Sequence, residues 1–425
     1  MNAAVLRCAV CRAELGADAV WPWRCPNAPA GASAHVLWRV AHLRPLRPVD
    51  DPNPFVAFDS ALVWSALADA RGINIDDRRV LVRELDDAVT KIDGTGFLVT
   101  PFFRSGRLSH ALGFAAEGGV WVKDDTVNVS GSHKARHLMT ILLHLLACER
   151  LGITSPYERV PLAIASCGNA ALAAATLAAA ARWPLSVYVP PHGDPWVLER
   201  LIALGAEVVL CNRRSNDPPG DPCVHRFREA VAEGAVPFSV QGTENALCLD
   251  GGRTIGWEIT EVLGAHVDRV FVQVGGGALA TSTGLAFADA GVHPRFHAVQ
   301  TEGCAPLDRA WQKAGSLPSD VLGARWREFM WPWESKPRSA ATGILDDETY
   351  DWIGVVQALR DSGGSSIVAP EALVSEANKL ARSTTEIDVD ATGTAGLAGL
   401  LAVRDKVADD ERVVVLFTGR RRGGV

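Results

Sequence analysis

Leu162-Ala163-Ile164-Ala165-Ser166-Cys167-Gly168-Asn169 is the stretch of sequence that decides the fold class. Its first four residues form a short apolar run typical of a buried strand, and an alanine-rich helical run from Ala170 to Arg182 follows. Leu185 to Val189 then repeats the strand pattern. A strand, a helix and a second strand in this order predict a βαβ unit, whose two strands lie parallel in one sheet.

Similar patterns alternate on both sides of this unit. The further helical runs are Phe55–Val89, Lys134–Leu151, Trp196–Leu204 and Ala278–Asp289, and the further strands are Val120–Lys123, Glu207–Cys211, Arg269–Val274 and Arg295–Gln300. These elements form two series joined through a loop-rich middle. They predict an α/β fold of two doubly wound, three-layer domains with a cleft between them.

The chain of 425 residues exceeds the usual size of a single hydrophobic core, which also favours two domains. We predict a cysteine-containing segment over residues 1–50, a large α/β domain formed by 51–130 and 256–425, and a smaller α/β domain over 131–255.

Composition excludes several classes of function. A formal net charge of -7 argues against a nucleic-acid partner, because phosphate binding needs a basic surface. The most apolar stretch, Pro161–Val189, is interrupted by polar residues and lacks the roughly 20 apolar residues of a membrane span. Residues 1–12 carry no secretory signal pattern, and the nine cysteines are scattered. We therefore expect a soluble cytoplasmic protein with reduced thiols.

Three small loops, each leading into a helix, carry the candidate chemistry. In Ser130–Arg136 the helix dipole at Lys134 would lower a lysine pKa and favour an imine-forming amine; an exposed first-turn lysine is the structural alternative. In Ala165–Asn169 the backbone amides of a helix start would bind a carboxylate, or the loop is an ordinary cap. In Gln273–Ala278 three glycines let the backbone curl around a phosphate, or form a tight turn.

In this order the three loops resemble the fold-type II pyridoxal-phosphate (PLP) enzymes, specifically the threonine synthase and threonine/serine dehydratase branch. The resemblance covers about residues 90 to 420. Further segments similar to this family are Thr95–Phe102, Trp121–Asp125, Leu249–Gly256, Val299–Gly303, Asp390–Leu397 and Val415–Gly419. It implies the tryptophan synthase β-like architecture, a small amino acid as substrate and a homodimer.

The resemblance also implies a role for each matching residue. Lys134 would hold PLP as a Schiff base and later move the Cα proton, and Asn169 would hydrogen-bond the ring hydroxyl. The phosphate would lie on Gly275, Gly276, Gly277 and Ala278, with His133 close by. The substrate carboxylate would meet Ser166, Cys167 and Gly168. Thr418 would face the pyridine nitrogen with a neutral hydroxyl, which weakens the ring as an electron sink and favours loss of a leaving group.

Some positions depart from the family pattern. Ala135 stands where threonine synthases have Asp, His133 replaces an aromatic residue, and Cys167 replaces Ser, Thr or Ala. All three departures surround the substrate, so its identity stays open. Glu302 would lie near the ring or have a structural role.

The first cysteines, Cys8-x2-Cys11 and Cys25, resemble the small zinc ribbon that precedes some threonine synthases. A closed tetrahedral zinc site needs four ligands, and His35 would supply the fourth. The alternative is a metal-free remnant whose thiols pack in a core. Zinc at this position would be structural.

The sequence leaves two reaction outcomes open. A β- or γ-leaving group is eliminated, and either an oxo acid and ammonia or a replacement product follows. Arg104, Arg107 and Arg136 are candidates to bind a substrate phosphate, but a solvated surface role is favoured for the first two. The sequence therefore offers no clear phosphate site for the substrate, which favours deamination. The alternative class is a zinc-ribbon interaction protein whose PLP-like domain is inactive.

Overall fold

The computed structural model describes residues 4–17, 19–29, 34–40, 46 and 48–422, so parts of the predicted N-terminal segment lie outside the described residues. The strands are β1 Ala4–Cys8, β2 Glu14–Gly16, β3 Leu37–Arg39, β4 Phe102–Arg104, β5 Gly119–Asp124, β6 Leu162–Ala165, β7 Leu185–Val189, β8 Glu207–Leu210, β9 Val236–Pro237, β10 Arg269–Gln273, β11 Arg295–Thr301, β12 Ser365–Ala369 and β13 Arg412–Phe417.

The helices alternate with these strands over most of the chain. They are α1 Pro54–Ala57, α2 Val63–Asp69, α3 Ile75–Asp93, α4 Gly106–Ala111, α5 Lys134–Arg150, α6 Asn169–Ala181, α7 Pro195–Ala203, α8 Pro222–Ala232, α9 Leu247–Leu263, α10 Ala278–Asp289, α11 Pro306–Ala314, α12 Ser319–Ala324, α13 Trp326–Phe329, α14 Trp352–Ser362, α15 Glu371–Thr385 and α16 Ala395–Ala402.

The chain divides into two compact units. The first contains residues 1–98, 128–130 and 134–254, and the second contains 99–127, 131–133 and 255–425. Residues 51–98 fall in the first unit because α3 packs against α5 and α6, whereas the sequence-based division joined 51–130 to 256–425. As a statement about independently folding domains, that division stays a prediction.

The first unit contains two sheets. A four-stranded parallel sheet has the order β8-β7-β6-β9, and its centre is the βαβ unit predicted from residues 162–189. A three-stranded antiparallel sheet, in the order β2-β1-β3, is formed by the N-terminal segment. The alanines of α6 are mostly buried, which allows the helices beside it to approach closely.

The second unit is organised around one six-stranded sheet of order β12-β11-β10-β13-β5-β4. All its strands pair in parallel except β4, which runs antiparallel to β5 at the edge. Every residue of β10 is buried, as expected for a central strand of a parallel sheet covered on both faces. The predicted α/β class with parallel sheets is confirmed.

Two further observations concern the helices and the cysteines. Within the described ranges, no helix combines the length and the apolar character needed to cross a bilayer. The nine cysteines, all of which lie in the described part of the chain, form no disulfide bond.

Candidate functional site

The loop before Lys134 has a strained backbone that is fixed at both ends. Ser130 and Gly131 both adopt left-handed conformations, with φ of 58° and 67°. In the first unit, the Ser130 hydroxyl donates to Thr176 Oγ1 at 3.0 Å. A non-glycine residue in this conformation is energetically costly and persists only where its surroundings impose it. The conformation of this loop therefore fixes the position of the residues that follow it.

In the second unit, residues 131–133 pair with residues 418–420, which directly follow β13. The amide of Arg420 donates to Gly131 O at 2.8 Å, and Ser132 forms an antiparallel bridge with Gly419. The amide and Nδ1 of His133 both donate to Thr418 O at 3.2 Å. The residue directly before Lys134 is thus hydrogen-bonded to Thr418. The sequence had linked Lys134 and Thr418 only because both match the same family pattern.

Lys134 is the first residue of α5, and buried contacts within the first unit fix this helix. Arg136 Nη1 donates to Thr254 Oγ1 at 2.9 Å, and Thr140 Oγ1 donates to Leu247 O at 2.7 Å. Both partners lie on α9. At Gly251 a side chain would collide with Arg136 O, so glycine is required for this close approach of the helices. The half-buried Lys134 therefore starts a helix with a fixed axis.

Asn169 and the residues before it form the junction between β6 and α6. Gly168 is the N-cap residue of α6, and its amide donates to Ser166 Oγ at 3.3 Å. Cys167 is exposed, and Ser166 and Asn169 are half-buried. Gly168 has no side chain to cap α6, and backbone amides at such a helix start can bind an anion.

The glycine turn in the second unit joins β10 to α10. Gly277 has φ of 97°, and a Cβ there would lie 3.0 Å from Thr349 Cγ2. A Cβ on Gly275 would collide with the carboxylate of Asp346. The glycines are therefore required by the segment packed against them. The N-cap residue of α10 is Gly277, which has no side chain to cap the helix, and the backbone amides of a helix start can bind an anion.

Thr418 follows β13 and is only 2% exposed. Its Oγ1 accepts a hydrogen bond from Gln273 Nε2 at 2.5 Å, and Oγ1 makes no other hydrogen bond to a described residue. The hydroxyl proton is thus an available buried donor. The sequence analysis assigned no role to Gln273. The feature that could have indicated one is a single amide side chain at the end of an otherwise largely apolar strand.

These features fit the groups of PLP, each within its own unit. A helix start with a glycine N-cap after a glycine turn suits a phosphate, and a buried hydroxyl donor suits a ring nitrogen that accepts. The start of α6 suits a carboxylate in the same way. The donor set of this chain is therefore compatible with the cofactor that the sequence implies.

A second cluster lies in the N-terminal sheet, where the ligand atoms of Cys8, Cys11, Cys25 and His35 all lie within 4.8 Å of one another. Cys11 Sγ is 3.4 Å from Cys25 Sγ, and Cys8 Sγ is 3.5 Å from His35 Nδ1. Ligands at the usual zinc–sulfur distance of a tetrahedral site are about 3.7 Å apart. Burial raises the pKa of the Cys25 thiol to about 12.

Other predicted residues have contacts that define their roles. Glu302 Oε1 accepts a hydrogen bond from the amide of Glu371, the first residue of α15, at 2.9 Å, which is a structural role. Arg104 Nε donates to Gly118 O at 2.9 Å, and the exposed Arg107 pairs with Glu386 at 2.8 Å. The fully buried side chain of Arg136 is held between protein groups, as described above.

Comparisons with known proteins agree with this geometry. The family model for "Pyridoxal-phosphate dependent enzyme" matches residues 95–419. A threonine synthase from Synechocystis sp. is 25% identical over 344 residues, which cover 80% of this chain and 79% of that protein.

Two solved structures share the fold. The processed form of threonine deaminase isoform 2 from Solanum lycopersicum has a TM-score of 0.60 at 17% identity, covering 82% of this chain and 86% of its own. Maize serine racemase has a TM-score of 0.59 at 16% identity, covering 80% of this chain and 93% of its own. At these identities the structural similarity establishes the fold alone.

Proposed function

This chain belongs to the family of pyridoxal-phosphate dependent enzymes, and from that premise we propose that it is a lyase acting on a small amino acid. The threonine synthase relative supports the threonine synthase and dehydratase branch within the family. The proposed reaction removes the Cα proton and expels a β- or γ-leaving group. The comparisons give no support to the alternative, an interaction protein with an inactive PLP-like domain.

PLP supplies an electron-withdrawing ring that stabilises negative charge at Cα when it is bound. The protein supplies the rest. Lys134 would hold the cofactor through its ε-amino group, and the same amine, once free, would move the Cα proton. The helix start at Lys134 and the anchored axis of α5 orient that amine.

The other roles follow the same assignment. In our proposal the backbone amides of Gly275, Gly276, Gly277 and Ala278 bind the phosphate, with His133 beside it. Asn169 hydrogen-bonds the ring hydroxyl, and Thr418 meets the ring nitrogen. Ser166, Cys167 and Gly168 receive the substrate carboxylate. The observation that carries the assignment is the pair of hydrogen bonds from His133, the neighbour of Lys134, to Thr418 O.

The contacts of the three candidate arginines favour deamination over replacement of a phosphate. Arg104 and Arg136 donate to protein oxygens, and Arg107 pairs with Glu386 at the surface. Binding a second phosphate would require these groups to leave their partners. We therefore propose serine or threonine as substrate, with ammonia and an oxo acid as products.

The first experiment tests the cofactor and Lys134. The purified protein is loaded with PLP, reduced with borohydride and digested, and mass spectrometry locates the modified lysine. We expect the modification on Lys134 and its loss in Lys134→Ala, while Lys91→Ala, which removes an exposed lysine of α3, leaves it in place. Modification of another lysine, or a protein that binds no PLP, would contradict the assignment.

The second experiment tests the reaction. The loaded protein is incubated with serine, threonine, O-phosphoserine and O-phosphohomoserine, and ammonia, oxo acid, phosphate and the D-enantiomer are measured. We expect ammonia and oxo acid in equal amounts from serine or threonine. Phosphate without ammonia would establish replacement instead, and a D-amino acid without ammonia would establish racemisation.

We further propose that Cys8, Cys11, Cys25 and His35 bind one structural zinc ion. The support is the convergence of three sulfur atoms and one ring nitrogen at nearly tetrahedral spacing. Metal analysis of the purified protein should give one zinc per chain, and Cys11→Ser should lower the zinc content and the melting temperature. Cys304→Ser removes a buried cysteine that is not a member of this cluster and should keep the zinc. A metal-free wild-type protein would refute the proposal.

Family likeness also leads us to propose a homodimer, and the nine scattered cysteines of the sequence lead us to propose a reducing compartment such as the cytoplasm. Sedimentation equilibrium of the loaded protein tests the first point. A monomer at micromolar concentration would refute it.

A further inference from the structure

Gln273 is a buried amide whose nitrogen faces three oxygen atoms. It is the last residue of β10 and is 3% exposed. Its Nε2 lies 3.0 Å from Gly393 O, 3.2 Å from Leu416 O and 2.5 Å from Thr418 Oγ1. All four residues belong to the second unit, so the arrangement is a property of that unit alone.

The two carbonyl groups fix the orientation of this amide. A backbone carbonyl oxygen can only accept a hydrogen bond, so the group that faces Gly393 O and Leu416 O must be the NH2 end of Gln273. The opposite orientation would place three oxygen atoms against a fourth. The surroundings of Gln273 therefore determine which end of the amide meets Thr418.

This orientation determines the role of the Thr418 hydroxyl. An amide nitrogen has no lone pair that accepts, and its two protons face three oxygen atoms. Thr418 Oγ1 is the nearest of these, at 2.5 Å, so it accepts one proton and leaves the other for the two carbonyl groups. The hydroxyl proton then points elsewhere, and Oγ1 makes no other hydrogen bond to a described residue. A second group that donates to Oγ1 would leave this buried proton without an acceptor, which is unfavourable.

We propose that Gln273 is a positioning residue that makes Thr418 a hydrogen-bond donor to the cofactor ring nitrogen and so keeps that nitrogen unprotonated. The inference rests on the proposed function, in which Thr418 meets the ring nitrogen. An unprotonated ring withdraws electron density from Cα less strongly than a protonated one. Gln273 thereby favours prompt loss of a leaving group over reactions that need a long-lived negative charge at Cα, such as transamination and racemisation.

The wild-type protein alone gives the first test. The full chain is loaded with PLP labelled with nitrogen-15 in the ring, and its resonance is recorded between pH 6 and 9 without substrate. We expect the chemical shift of an unprotonated pyridine throughout. The shift of a pyridinium nitrogen would overturn the inference while leaving cofactor binding, and with it the proposed function, intact.

Gln273→Met gives the second test, because it removes the amide and keeps the length of the side chain. Thr418 Oγ1 can then turn and accept from a protonated nitrogen, so we expect the ring-nitrogen protonation equilibrium to shift by about tenfold, one pKa unit, towards the protonated form. Asn378→Leu is the matched control, since Asn378 Nδ2 donates to Thr394 Oγ1 at 3.2 Å in the same unit. This control should leave the ring-nitrogen shift unchanged.

A double variant separates positioning from general structural damage. If Gln273 acts through the hydroxyl, Gln273→Met should add no further shift in a Thr418→Val background. An equal effect in both backgrounds, or no effect of Gln273→Met on the wild type, would overturn the inference. A folded protein that binds no PLP would end both the inference and the proposed function. If Gln273→Met fails to fold, a pyridinium shift in the wild-type protein would still overturn the inference.

Discussion

Replacing Lys123 by methionine is expected to lower the free energy of unfolding by about 3 to 5 kcal/mol. The side chains of Lys123 and Glu258 are each 1% exposed, and Lys123 Nζ donates to Glu258 Oε2 and, at 2.6 Å, to Thr100 O. Methionine preserves most of the apolar stem. The variant therefore leaves the buried Glu258 carboxylate without the ammonium group that lies against it, and this uncompensated charge is the main cost.

The second partner provides the decisive comparison. Glu258→Gln in the Lys123→Met background removes the carboxylate charge and keeps an oxygen that accepts from the amide of Thr100, which lies 3.2 Å from Glu258 Oε2. We expect this double variant to recover most of the lost stability, because a buried ion pair adds little net stability relative to neutral groups.

Urea unfolding, followed by tryptophan fluorescence and circular dichroism, measures the changes. Arg107→Met is the matched control, since the Arg107–Glu386 pair lies in the same unit at 2.8 Å but is 64% and 81% exposed. It should cost about 1 kcal/mol or less. The reasoning is refuted if Lys123→Met costs no more than Arg107→Met, or if the double variant is as unstable as the single one.

Three further predictions follow from local features. Burial raises the pKa of Asp390 to about 6, so the stability that its protonated form contributes at low pH is lost as the pH rises through 6. Asp390→Asn should remove this pH dependence, which amounts to about 3 kcal/mol at most in the free energy of unfolding, measured by urea titration between pH 4 and 6. Burial lowers the pKa of His144 to about 4, so stability present above pH 6.5 should be lost as the pH falls towards 4. In His144→Gln the amide can still donate to Val20 O but does not titrate, so the same titration should show a loss smaller by about 3 kcal/mol. Gly277→Ala should weaken PLP binding, measured by absorbance titration, and cost about 1 to 3 kcal/mol of stability; Gly291→Ala, at φ of 67° with open space around it, should cost less and leave binding unchanged.

Much of the fold could be predicted because apolar runs of strand length alternate with longer runs of helical length. The strands Leu162–Ala165 and Leu185–Val189 were predicted to the residue. The run Phe55–Val89 was wrong in its continuity, because the structure has three helices, α1 to α3, in that region. The Asn74 side chain accepts from the amides of Asp76 and Asp77, so it ends the preceding turn and starts α3.

The edge strand β4 could not be predicted from its own residues. Phe102–Arg104 has only three residues and pairs antiparallel with β5, and a run of that length carries no readable period. Its strand conformation depends on the neighbour that supplies the hydrogen bonds, and that neighbour is known only from the tertiary structure.

By itself, the sequence determined the residue types of the candidate site and their order: Lys134, Asn169, the glycine turn and Thr418. Helix starts and glycine turns are local, so their chemistry is legible in short stretches. Only the tertiary structure decided that His133 bonds to Thr418, 285 residues later, and that Gln273 turns its NH2 group towards the same threonine. Whether a group donates or accepts a hydrogen bond depends on the atoms that surround it in space. When those atoms belong to residues far away along the chain, the sequence contains no local pattern that reveals them.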